Sequence, residues 1–193
     1  LRAESKKLGI ALHCDGARIW NAHIASKVPF KDFGAQVDSI SVCLSKGLGA
    51  PIGSLMISTQ DRIDRARVWR KRYGAGLRQV GIIAAAGHYA LDHNIERLEQ
   101  DHKHARELAL ACNKAVPSTV NPDTVQTNIV VLDLTGARIS ASEFAIKARE
   151  KGIALGALGP TVVRLVTHLD VSADQIEEAS VILGELLNSA FVS

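Results

Sequence analysis

The sequence predicts an α/β protein, because short apolar runs that end in glycine-rich turns alternate with longer segments of helical period. Ser39-Ile-Ser-Val-Cys-Leu44 and Gly53-Ser-Leu-Met-Ile-Ser58 are runs of strand length, separated by Ser45-Lys-Gly-Leu-Gly-Ala-Pro-Ile52. Ile95 to Ala115 repeats apolar residues at helical spacing, with the charges of Glu99-Gln-Asp-His-Lys-His104 turned away from them, and Pro117 closes it. The last third of the chain reads strand, helix, strand, strand, helix, which suits a small sheet with helices on one face.

The elements follow in order. Arg2 to Lys7 reads as a helix end, and Gly9-Ile-Ala-Leu-His-Cys14 reads as a buried strand that leaves the sheet at Asp15-Gly16. A few dozen residues connect it to the strand at Ser39, room for one crossover but short for a pair of full helices. Helical period resumes at Gln60 through Ile63, Ala66 and Trp69, breaks at Gly74-Ala-Gly76, and returns from Arg78 to His93-Asn94. Strands are expected over Val125–Leu134, Ile153–Leu155 and Val162–Val166, and helices over Ala141–Lys151 and Ala173–Leu187. Ser140 with Glu143 and Ser172 with Gln175 have the spacing of capping boxes. Three divisions result: residues 1–94 as part of a large domain, 95–116 as a connecting helix, and 117–193 as a small α/β domain.

Composition narrows the class of function. The chain has 193 residues, an apolar fraction of 47% and a net charge of +3, with basic residues dispersed apart from Arg65-Ala-Arg-Val-Trp-Arg-Lys-Arg72. A packed core is expected and nucleic-acid binding is not. Cys14, Cys43 and Cys112 are odd in number and lack CxxC spacing, so reduced, buried thiols are expected. No apolar run reaches the roughly 18 residues of a membrane span, and the first residues lack a signal-peptide core, which favours a soluble, cytoplasmic protein. The chain opens inside a helix without an initiating Met, so an N-terminal portion is expected to be missing.

Lys46 stands out because lysine is costly to bury unless it is paired or used as an amine. It follows a core-like strand and precedes Gly47-Leu-Gly-Ala-Pro-Ile-Gly53, where the backbone can lie close to a ligand. An amine held there deprotonated suits Schiff-base formation, although a Ser-Lys-Gly turn by itself more often carries a solvent-facing lysine. Asp15, at a strand end, has the chemistry to hold the pyridinium nitrogen of pyridoxal phosphate (PLP), and Arg18 beside it has the planar fork for a phenolic oxygen or a carboxylate. An Asp-Gly turn with a surface Asp–Arg pair is the alternative. His168 receives no catalytic role, and His102 and His104, two apart on a helix, do not share a face for a metal; no metal site is expected. The Gly47–Gly53 loop has the wrong spacing for a dinucleotide fingerprint.

Four separated motifs, His13-Cys-Asp-Gly-Ala-Arg18, Ser41-Val-Cys-Leu-Ser-Lys-Gly-Leu-Gly-Ala-Pro-Ile-Gly-Ser54, Trp69-Arg-Lys-Arg72 with Arg78-Gln79, and Arg164-Leu-Val-Thr-His-Leu-Asp170, occur in the order of the threonine aldolases. The sequence resembles roughly the C-terminal half of that PLP-dependent family. The resemblance implies the aspartate aminotransferase-like fold (fold type I): part of a large, mostly parallel sheet domain plus a small C-terminal α/β domain. It implies Lys46 as the Schiff-base lysine, Asp15 as the pyridine-nitrogen partner and Arg18 as a contact to cofactor or substrate. It further implies Arg164 as the clamp on the substrate carboxylate, and Arg78 with Lys71 as basic groups reaching the cofactor phosphate.

The activity so implied is cleavage of threonine or allo-threonine to glycine and an aldehyde by a cytoplasmic homo-oligomer, a dimer or tetramer, of the full-length parent. The family's Gly-Thr phosphate loop and stacking imidazole would lie before Leu1, so this chain alone is expected to hold PLP weakly and its own activity is in doubt. A related β-eliminating amino-acid lyase and a truncated, non-catalytic scaffold are the alternatives.

Overall fold

A computed structural model describes residues 1–191, which divide into two compact units, Leu1–Leu98 and a second from Glu99 onward. The first unit holds α1 (Arg2–Lys7), β1 (His13–Gly16), α2 (Ile19–Ser26), α3 (Phe30–Ala35), β2 (Ser39–Cys43), β3 (Ser54–Ser58), α4 (Gln60–Arg72) and α5 (Gly81–His93). The strands lie in the order β1-β2-β3, with β1 parallel to β2 and β3 antiparallel to it. Alternation along β2 explains its placement: Ile40 and Val42 are buried, while Ser39, Ser41 and Cys43 face the other way. Ile40 and Val42 pack with Ile19 of α2 and with Cys14, Trp20, Phe33 and Val37. A second cluster joins Ile24, Leu44, Leu48, Ala50, Ala90 and Leu98, so the turn after β2 is itself a core element. β3 is exposed on both faces, and Ile82 and Tyr89 of α5 are exposed as well.

Two expectations change, one at the start of β1 and one at the thiols. β1 begins at His13 rather than Gly9, because the Leu12 N–H is taken by the Asp38 carboxylate at 2.9 Å and the Leu12 carbonyl accepts from Asp38 N–H at 2.8 Å. The crossover between β1 and β2 contains two short helices, in keeping with a connection too short for a pair of full ones. Lys27, the cap of α2, takes a left-handed conformation (φ 59°), and Pro29 then caps α3, so the chain turns where a single helix would have continued. Of the thiols, only Cys112 is buried; Cys14 and Cys43 are half-buried, and all three are free.

The second unit holds α6 (Leu98–Ala115), whose first residue closes the first unit, then β4 (Ile129–Asp133), α7 (Ala141–Glu150), β5 (Gly156–Ala157), β6 (Val162–Val166) and α8 (Ala173–Phe191). Its sheet is antiparallel in the order β4-β6-β5. Ala105, Leu108, Ala109 and Cys112 recur at i, i+3, i+4 and i+7 on α6 and meet Val130, Leu132, Val163 and Leu165 of the sheet, with Phe144 of α7 and Leu183 and Leu187 of α8. The expected strand at Ile153–Leu155 is a loop whose side chains join this core, and pairing with β6 starts only at Gly156. β4 likewise begins at Ile129, after a 3-10 turn at Pro122–Thr124. The Ser140–Glu143 capping box is formed, and Ser172 with Gln175 makes the second reciprocal pair.

Candidate active site

Parallel pairing of β1 and β2 puts the C-terminal ends of both strands on one edge of the sheet, the edge at which α/β proteins place their ligands. Asp15 lies at the end of β1 opposite Ser41, on the face turned away from the Ile40–Val42 cluster. Its exposed carboxylate accepts the Ala17 N–H at 3.1 Å, which folds the chain back across the strand end. Gly16 allows that turn: a Cβ there would sit 2.9 Å from the Ser41 carbonyl and 2.8 Å from Ile40 Cγ2. Arg18 follows as the residue capping α2, half-buried.

Lys46 occupies the bend that follows β2, five residues beyond the position paired with Asp15, and is half-buried. The bend is closed by Gly49 N–H donating to Lys46 O at 2.9 Å, Ala50 N–H to Leu44 O at 3.0 Å and Leu44 N–H to Gly53 O at 2.9 Å. One edge of one sheet therefore offers a carboxylate, a guanidinium and an amine. An aromatic nitrogen heterocycle bearing an aldehyde could use all three groups.

The remaining expected residues stand elsewhere. Lys71 is in the last turn of α4 and Arg78 just ahead of α5, both exposed, on either side of Gly74-Ala75-Gly76. The aliphatic chain of Lys71 lies against Gly76, where a Cβ would come 2.8 Å from its Cδ. Arg164 belongs to the second unit, half-buried on the central strand β6, with Val131 and Gly156 as its neighbours across the sheet. His168 pairs through Nδ1 with Asp170 Oδ2 at 3.2 Å.

Sequence reasoning missed the groups that brace the edge. Trp20 Nε1–H donates to Cys43 O at 2.8 Å, and Asn94 Nδ2–H donates to Leu48 O at 2.7 Å. Asn94, after the last periodic residue of α5, was legible as a helix terminus, but a partner 46 residues away left no sequence signal. The Asp38 carboxylate that anchors the entry to β1 also escaped notice. Its hydrogen bonds from Arg2 and Leu12 N–H and the nearby Arg62 hold it down to about 2, against a usual value of 3.8.

The beta-eliminating lyase family model matches residues 1–135. Among curated relatives, the chain is 42% identical over 176 residues to the low specificity L-threonine aldolase of Escherichia coli (strain K12), covering 91% of this chain and 51% of that protein. It is 39% identical over 173 residues to low-specificity L-threonine aldolase 1 of Arabidopsis thaliana, covering 89% and 48%. The chain thus spans about half the length of these relatives. A crystal structure of a putative L-allo-threonine aldolase from Listeria monocytogenes superposes with a TM-score of 0.75 at 21% identity, over 98% of this chain and 54% of that one, so the fold is shared. With the family model matched over residues 1–135, more than half of its length, the chain belongs to the beta-eliminating lyase family.

Proposed function

We propose that the protein carrying this chain is a PLP-dependent aldolase that cleaves threonine, allo-threonine and similar β-hydroxy-α-amino acids to glycine and an aldehyde. The observation that supports this reading is that parallel pairing of β1 with β2 turns both strand ends to one side of the sheet, with Asp15 near the end of β1, Arg18 just after it and Lys46 in the bend after β2. These residues fit PLP by the chemistry of their donor set. Lys46 would provide the primary amine for the cofactor's aldehyde, Asp15 the carboxylate that would keep a ring nitrogen protonated, and Arg18 a planar donor for an oxygen of the ring or the substrate. When bound, PLP supplies the electron sink that takes the pair of the broken Cα–Cβ bond.

The chain's other cations have roles in binding. Arg164 grips the substrate carboxylate with its guanidinium fork, and Arg78 with Lys71 meets the cofactor phosphate. No side chain of this sequence is assigned as the base that takes the β-hydroxyl proton. The working protein is a cytoplasmic homo-oligomer, a dimer or tetramer, on this reading.

The matched family model is named for β-elimination, so a β-eliminating lyase is the second reading. One assay separates the two. With the protein expressed from its whole gene and loaded with PLP, aldehyde and glycine should appear from L-threonine or L-allo-threonine and vanish in Lys46→Ala. Release of a 2-oxo acid and ammonia, with no aldehyde, would overturn the aldolase reading.

A further inference from the structure

The Lys46 turn is held from beneath by side chains that the amine's chemistry does not require. Three consecutive carbonyls each accept a different donor: Lys46 O from Gly49 N–H at 2.9 Å, Gly47 O from Arg97 Nη1 at 3.5 Å, and Leu48 O from Asn94 Nδ2 at 2.7 Å. A peptide group is planar, so restraining the direction of its carbonyl limits how the plane can turn, and two restrained neighbouring planes limit φ and ψ of the residue between them. The short bonds to Lys46 O and Leu48 O, with the longer one to Gly47 O between them, therefore restrain the backbone of the turn from Lys46 to Leu48.

Packing locks the same turn. Leu48 is fully buried, and a Cβ on Gly47 would come 2.8 Å from Leu98 Cδ2 and 3.4 Å from Oδ1 of the buried Asn21. Asn94 is itself well anchored: its backbone N–H donates to Ala90 O at 2.9 Å as the cap of α5, so its carboxamide reaches Leu48 from a fixed point. A lysine has four rotatable side-chain bonds, and only its backbone origin can be set by the fold at no cost to the amine's freedom to react.

We propose that Asn94, by donating to the Leu48 carbonyl with Arg97 supporting the carbonyl before it, is a positioning residue that fixes the turn presenting Lys46. This role rests on Lys46 being the amine that holds the cofactor. Its loss leaves the cofactor bound and displaces the amine, so turnover falls while substrate affinity stays. A displacement of about 1 Å in a reacting group costs on the order of a hundredfold in rate, and loosening the turn lies between that and no change.

The test compares Asn94→Ala and the isosteric Asn94→Asp, which cannot donate, with the unaltered protein expressed from its whole gene; Arg97→Met serves if either fails to fold. Without cofactor, amide exchange at Gly49 and Ala50 should quicken about tenfold, while Ile40 and Val42 in β2 keep their protection. With PLP, kcat should fall about ten- to a hundredfold at constant KM, and the pH at which the bound cofactor's absorbance changes should move. Unchanged exchange at Gly49 and Ala50, quicker exchange throughout β2, or an unmoved pH profile with kcat and KM as before would each overturn the positioning role. If Lys46→Ala keeps the cofactor's spectrum and turnover, the lysine assignment itself fails and the role of Asn94 falls with it. The exchange measurement without cofactor distinguishes that failure from failure of the clamp.

Discussion

Arg2 Nη1 lies 2.7 Å from Asp38 Oδ2, and the same carboxylate oxygen accepts the Leu12 N–H, so one half-buried acid ties α1 to the entries of β1 and β2. Arg62 of α4 approaches its other oxygen at 3.5 Å. The acid thus links α1, the sheet and α4 of the first unit by polar bonds.

Asp38 is charged at lower pH in the folded chain than in the unfolded one. A depressed carboxyl contributes stability above its unfolded value of 3.8 and loses it as pH falls through about 2. Asp38→Asn should lower the melting temperature at pH 7 and remove the part of the acid-induced loss that falls in that window. Thermal melts at pH 7, 4 and 3 check this; the same slope in the variant as in the unaltered chain would assign the acid transition to other carboxylates.

Cys112, on the inward face of α6, has its thiol pushed up to about 12 by burial, whereas Cys14 and Cys43 are half-buried. Only thiolate attacks an alkylating reagent, so at pH 8 the buried Cys112 should stay unlabelled until the second unit unfolds, while reagent can reach the half-buried Cys14 and Cys43. A raised thiol stabilises the fold below its unfolded value and withdraws that support as pH climbs towards 12. Mass spectrometry of the alkylated native protein reads the result directly.

Phe144 and Ile146 are two residues apart on α7, the first fully buried and the second 59% exposed. Phe144→Ala should cost about 3–5 kcal/mol by leaving a cavity under the sheet, and Ile146→Ala should stay within about 0.5 kcal/mol. Denaturant titration followed by a signal from the second unit measures both. Similar costs would mean that α7 presents a different face.

Asp15→Asn should reduce turnover by orders of magnitude while PLP remains bound, because an amide cannot hold the proton on a pyridine nitrogen. Asp15→Glu, which keeps the charge, should be milder. Equal rates in Asn and unaltered protein would return Asp15 to the role its bond with Ala17 N–H already gives it, a turn residue.

What the sequence disclosed was governed by how local the cause was. Helix positions on α4 and α6 follow from periodicity, and the capping box at Ser140 follows from a spacing of three, both contained within a few residues. The start of β1 did not follow, since it is set by Asp38, 26 residues from Leu12. The break between α2 and α3 had a local sign in Pro29, but the left-handed Lys27 had none. Asp15 and Lys46 were legible as residues at strand ends, with Arg18 three residues after Asp15. Their arrival on one edge needed the parallel register of His13 with Ser39, and the brace from Asn94 needed the tertiary structure.

The most direct measurement is covalent. The protein expressed from its whole gene is loaded with PLP, reduced with borohydride, digested and mapped by mass spectrometry. A single stoichiometric label is expected on Lys46 and none in the Lys46→Ala variant. A label on other lysines with Lys46 unmodified would contradict it.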